Sequence, residues 1–161
     1  MQLVERHLED LSAIRHRIYT CEFSTEHKPT ALVLAFSGTY QVGSEGNGDA
    51  AYMIGVRRAA MATWDTDALV YDLRELKYEW GNAIWSLFRG SFGDVDLRGT
   101  PSALVVSDLC REGFSSCSGS VPPMFDDLDS ALQHVEKEAE ERLKGNLQVF
   151  DAKRRPWWRI W

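Results

Sequence analysis

The sequence predicts an α/β fold: a single domain on a mostly parallel, mixed β-sheet with an N-terminal hairpin and three main helices. Three observations lead there. Short apolar runs of strand type alternate with segments of helical period, the pattern of parallel strands joined by right-handed crossovers. The first two runs are separated by a short polar turn, which suits a hairpin. The length of 161 residues, 44% of them apolar and 26% charged, matches one domain with one core. Short strands and short helices fit one compact pair of layers, over residues 1–150, with a basic, Trp-rich tail at 151–161.

Val4, Leu8 and Leu11 are spaced for one helical face, and a segment this short pairs equally well as an edge strand. Residues 14–24 place Tyr19, Cys21 and Phe23 on one side of an extended segment, because strand side chains alternate. The polar stretch from Glu26 to Thr30 turns the chain. Ala31 to Phe36 is then continuously apolar, as in a strand covered on both faces. A loop with Gly43, Gly46 and Gly48 follows, and Asp49 caps or charges the start of a helix reaching about Thr63. Met53, Val56, Ala60 and Trp64 fall on its buried side, with Arg57 and Arg58 turned away.

Ala68 to Leu73 is a second strand of buried type, after which Trp80, Ile84, Leu87 and Phe88 recur at helical spacing before Gly90. Gly99-Thr100-Pro101 punctuates the chain, and Ala103 to Ser107 forms another strand. Leu128, Leu132, Val135, Ala139 and Leu143 mark a last amphipathic helix closed by Gly145.

Eighteen basic against twenty-four acidic side chains give a net charge of −6, which disfavours nonspecific nucleic-acid binding and favours a cationic partner. No apolar run approaches the ~18 residues of a membrane span. The acidic N-terminus is unlike a secretory signal, so the expected location is cytoplasmic. Cys21, Cys110 and Cys117 make an odd set without a C-x-x-C pair, read as a buried strand thiol and two loop thiols. His7, His16, His27 and His134 lack metal-ligand spacing, so neither a metal nor a cofactor is expected.

Three stretches resemble the STAS domains, the SpoIIAA-like proteins that include anti-sigma-factor antagonists: Ala31-Leu-Val-Leu-Ala-Phe-Ser-Gly38, Ala68-Leu-Val-Tyr-Asp-Leu73, and Pro123-Met-Phe-Asp-Asp-Leu-Asp-Ser-Ala-Leu132. The last is similar to the family's closing segment, a short strand ending in Phe that runs into a capped helix. The resemblance implies a STAS/SpoIIAA-like fold and a regulatory, protein-binding role. It also implies a phosphoacceptor serine in the turn after the second parallel strand. The matching place here is Trp80-Gly81-Asn82-Ala83, which has no hydroxyl.

Candidate sites follow from these elements. Trp80, Asn82 and Trp85 are candidate partner contacts, although the spacing of Trp80 to Ile84 and Leu87 is also that of a residue capping the core. Gly43, Ser44, Gly46 and Gly48 form a candidate ligand loop, because backbone N–H groups between a strand and a helix suit an anion. Glu45 and Asp49 oppose that reading, and glycines chosen for their backbone freedom explain the loop as well. Cys110, Ser115, Ser116 and Cys117, with His134 beyond, offer a nucleophile only if a base reaches them; a serine-rich connection is the simpler account.

In the tail, Trp157, Trp158 and Trp161 accompany Lys153, Arg154, Arg155 and Arg159. Such a segment docks on its own acidic last helix, on a second copy in a homodimer, or on another partner. The function expected is therefore non-catalytic binding of another protein, of basic character, with no role at nucleic acid or membrane. A regulatory adaptor and an immunity-type inhibitor are the two forms considered. The alternative is a small-molecule binder or enzyme using the glycine loop and the strand ends near Asp72 and Ser107 to Cys110, which requires a closed, mostly apolar pocket.

Overall fold

The computed structural model describes residues 2–89, 97, 99–115 and 121–153, with side chains through 146. Its strands are β1 (Arg15–Glu22), β2 (Thr30–Thr39), β3 (Ala68–Lys77), β4 (Ser102–Val105) and β5 (Met124–Phe125), and its helices are α1 (Asn47–Thr63), α2 (Arg111–Ser115) and α3 (Leu128–Lys153). All five strands form one sheet in sequence order. β1 and β2 make the expected antiparallel hairpin, with Tyr19 opposite Val33, and the remaining pairs are parallel.

Strands added side by side through right-handed crossovers place every connection on one face of the sheet. That face buries Leu32, Leu34, Phe36, Leu69, Tyr71 and Leu104 against Met53, Val56 and Ala60 of α1, together with Ile84 and Leu87. α3 follows the last strand, is no crossover, and covers the opposite face. There Ala31, Val33, Ala68, Val70, Ala103 and Val105 meet Ala131, Val135 and Ala139, small or β-branched side chains that let the helix approach closely. The result is three layers, where one pair of layers was expected.

Other local expectations are corrected by packing. The undecided N-terminal segment forms a 3₁₀ turn at Leu8–Leu11, with Leu8 against Gly55 of α1. The helix expected after Trp80 is a 3₁₀ helix at Asn82–Leu87, in which Ile84 and Leu87 point the same way and are both fully buried. Gly145 does not close the last helix, which runs through it to Lys153. Trp64 is 41% exposed beyond the end of α1, and Cys21 is half-buried while Cys110 is buried.

Arg57 does not turn away to solvent. It is fully buried, and its Nη1 donates to the Leu87 carbonyl at 2.6 Å, which the Tyr71 hydroxyl also reaches at 3.1 Å. The last carbonyls of a helical turn lack partners within it, and a guanidinium supplies donors in their place.

The β1–β2 turn is tied to α3 through Glu140. Thr25 Oγ1 and the His27 ring nitrogen Nδ1 each lie 2.7 Å from its carboxylate oxygens, and Lys144 Nζ lies 3.4 Å away. The hydrogen bond to His27, then that to Thr25, holds the carboxyl down at about 2 from an ordinary 4.5. A depressed carboxylate stabilises the fold above its unfolded pKa, and the contribution is lost as pH falls through the folded value. Glu140→Gln is therefore expected to melt at a lower temperature than the native chain at neutral pH. The difference should shrink between pH 4.5 and about 2, as followed by thermal melts across pH. A constant difference throughout that window would show that ionisation of Glu140 contributes nothing.

Candidate functional site

The glycine loop and the Trp80 turn, read separately in the sequence, lie together at the carboxyl end of the parallel strands. This is where open α/β sheets present their loops to ligands and partners. β2 ends beside β3, Tyr40 N–H donates to the Lys77 carbonyl at 2.9 Å, and Gly43 N–H donates to the Trp80 carbonyl at 3.3 Å. Gly43 has φ +64°, and a β-carbon on it would stand 3.0 Å from the Trp80 ring, so the indole lies flush on this glycine. Trp80 is nevertheless 57% exposed. It caps no core; instead its ring is held up to solvent by the glycine loop beneath it.

Each remaining glycine of the loop has a packing reason. A β-carbon at Gly46 would overlap Tyr40 Cε1 and the Gln41 carbonyl oxygen, and one at Gly48 would run into the Leu11 carbonyl. Gly43–Gly46 is a 3₁₀ turn leading into α1, and Ser44 lies within it. Asp49 does not cap the helix; its buried carboxylate accepts Gln41 N–H at 2.7 Å and the Ser12 hydroxyl, fastening the loop and the N-terminal segment to α1. Below them, burial raises the Tyr40 phenol well above its usual pKa, with Tyr78 and Asp49 adding to the shift.

The other sequence candidates divide. Asn82 is exposed at the start of its 3₁₀ helix, beside Trp80. Trp85 is half-buried and packs edge-on against Phe114 and obliquely on Phe88, so it belongs largely to the interior. Trp157, Trp158 and Trp161 lie outside the described residues, as do Ser116 and Cys117. Cys110 sits in the core with its thiol directed at the Leu73 carbonyl, 3.3 Å away, and burial pushes its pKa up. Ser115 closes α2 by donating to the Arg111 carbonyl, and His134 lies against Phe125 and Glu138. No described base reaches either nucleophile.

The sequence reading missed two parts of this end of the molecule. Val42 and Leu109 are 41% and 53% exposed, in the loops after β2 and β4, and flank the Trp80 turn in the fold. Leu109 borders an open cleft of about 560 Å³ whose other walls are Lys77, Tyr78, Glu79, Asp108, Glu112 and Gly113. Lys77 is paired with Glu79 at 3.0 Å, so the balance of charge there is acidic. The signal was present beyond gaps of two and three residues after the ends of β2 and β4 but carries no period, so it cannot be read without knowing where the strands end.

Near Asp72 there is little space: a cavity of about 20 Å³ remains, and both oxygens of Asp72 hold the Arg74 guanidinium, at 2.9 and 2.7 Å. That volume suits a single water rather than a substrate. Glu26, His27 and Glu140 bring three donor atoms within 4.8 Å of one another. The bonds of Glu140 to His27, Thr25 and Lys144 account for this group without a cation.

No family model matches the chain, and no curated protein matches it. A solved structure does: the crystal structure of an anti-sigma factor antagonist from Mycobacterium paratuberculosis superposes with a TM-score of 0.54. The alignment covers 77% of this chain and 95% of that one, at 17% identity. The chain has a STAS-like fold. In this STAS-like domain the short β5, absent from the periodicity reading but implied by the resemblance at Pro123 to Leu132, completes the sheet beside β4. Asp127 then caps α3 by accepting Ser130 N–H at 2.7 Å, a bond that holds its carboxyl below the usual range. No helix among the described residues is long and apolar enough to cross a membrane.

Proposed function

We propose that this domain is a regulatory protein-binding module that uses the carboxyl end of its sheet to hold a cationic segment of another protein. The observation that carries the reading is Trp80, seated on Gly43 with more than half its surface in water. A large aromatic fixed in place by a glycine loses little freedom on binding and supplies much contact area. Glu79, Asp108 and Glu112 surround the neighbouring cleft, and complementary charge speeds association and selects the partner. The cleft is open and lined by charge, which supports partner binding over a closed catalytic pocket. Likeness to an anti-sigma factor antagonist favours the regulatory over the immunity form. With no hydroxyl from Trp80 to Ala83, phosphorylation at that turn does not gate the contact.

The test is affinity capture with the native chain and with Trp80→Ser, followed by titration of the recovered partner. Trp80→Ser is expected to weaken binding by about 2 kcal/mol, roughly thirtyfold, since a central aromatic dominates such contacts. Its melting temperature should stay near native. Raising salt should slow association, as it screens the acidic rim. Equal affinity of the native and Trp80→Ser proteins would refute this site.

A further inference from the structure

The two edges of the sheet are unlike. β5 has two residues and offers almost no template for another strand, whereas β1 has eight, with no proline, no lysine and an unbroken register on β2. Natural proteins blunt an exposed edge by shortening, bulging or charging it, or cover it. The phase of the β1 ladder shows what its free side presents. Phe23 N–H donates to the Pro29 carbonyl at 3.0 Å, so alternate residues back to Arg15 bond inward to β2. The backbone groups of His16, Ile18, Thr20 and Glu22 therefore point outward, and none of them has a hydrogen-bond partner among the described residues. Three of these four residues are exposed and Ile18 is half-buried.

We propose that β1 is a dimerisation edge, pairing antiparallel with β1 of a second copy about a two-fold axis at Tyr19, to give a continuous ten-stranded sheet. The ladder phase allows only registers in which outward residues face outward residues. The register centred on Tyr19 pairs the whole strand: Ile18 faces Thr20, and His16 faces Glu22, an imidazole opposite a carboxylate at both ends. Tyr19, 52% exposed at the open edge of the sheet, meets its own symmetry mate at a non-hydrogen-bonded site, where side chains come closest. No like charges are opposed, and the strand is self-complementary as a two-fold contact requires. This edge is distinct from the Trp80 surface, so either assignment stands without the other.

Light scattering during size exclusion of the full chain is expected to give twice the 18.3 kDa chain mass at about 100 µM, for an edge contact at the small end of interface sizes. Tyr19→Lys, which sets two cations on the axis, should weaken the dimer at least about tenfold. Because Tyr19 is exposed, its melt and circular dichroism should remain native. Tyr19→Cys should cross-link two copies on mild oxidation, identified by mass spectrometry, since facing thiols at such a pair are within disulfide reach. A native chain that is monomeric at this concentration would overturn the proposal, including one that instead takes up a strand of another protein. So would a dimer that survives Tyr19→Lys but is lost on deleting residues 154–161, or one that cross-links through Thr20→Cys in place of Tyr19→Cys.

Discussion

Arg57→Ala is expected to destabilise the fold by about 3–5 kcal/mol, the range for truncating a large, fully buried side chain that also satisfies a carbonyl. The guanidinium fills space between α1 and the 3₁₀ helix at Asn82–Leu87, and it donates to the Leu87 carbonyl. Removing it opens a cavity and leaves that carbonyl with the Tyr71 hydroxyl. For a domain of this size the melting temperature should fall by roughly 10 °C. Arg57→Met, which keeps most of the volume without a charge, should cost distinctly less, because replacing a buried ion by an apolar side chain avoids its desolvation. A melt of Arg57→Ala within experimental error of native would mean that the side chain is not held in the core.

Gly46→Ala and Gly145→Ala are expected to have opposite signs. At Gly46 the added carbon would overlap both the Tyr40 ring and the Gln41 backbone, and a backbone atom cannot step aside as a flexible side chain does. The cost should be about 2–4 kcal/mol, at or above the usual range for overpacking. It should also disturb the Gly43 platform under Trp80, weakening partner binding further than the stability loss alone explains. At Gly145, exposed within α3, the added carbon meets nothing within 4 Å. There alanine should stabilise by about 0.5–1 kcal/mol, through helix propensity alone. Chemical denaturation of both variants decides the matter, and equal effects would show that the close approach at Gly46 is not a constraint.

The strands were legible because their signal is local. Ala31 to Phe36 and Ala68 to Leu73 are apolar without a break, and a strand buried on both faces reads that way wherever its neighbours are. The amphipathic face of α3 was legible for the same reason: Val135 and Ala139 recur at helical spacing and are buried. Trp80 shows where that reasoning ends. Its spacing to Ile84 and Leu87 indicated the core, yet the chain turns at Gly81 before the 3₁₀ helix begins, so the indole is carried outward.

Arg57 failed in the opposite direction. On the helix it flanks Val56, and only the arrival of the Leu87 carbonyl gives its charge a reason to be inside. The two candidate groups at Gly43–Gly48 and Trp80–Asn82 are more than thirty residues apart in the chain, and adjacent strands bring them together. The order of β1 to β4 and the hairpin were thus determined by the sequence alone, since each rests on periodicity and turn chemistry within a few residues, while β5 and the STAS-like fold were implied by the resemblance at Pro123 to Leu132. The third layer, the exposure of Trp80, the acidic cleft and the open edge of β1 were decided by tertiary structure. Each depends on which surfaces remain uncovered once the helices have packed, and that is a property of neighbours distant in the chain.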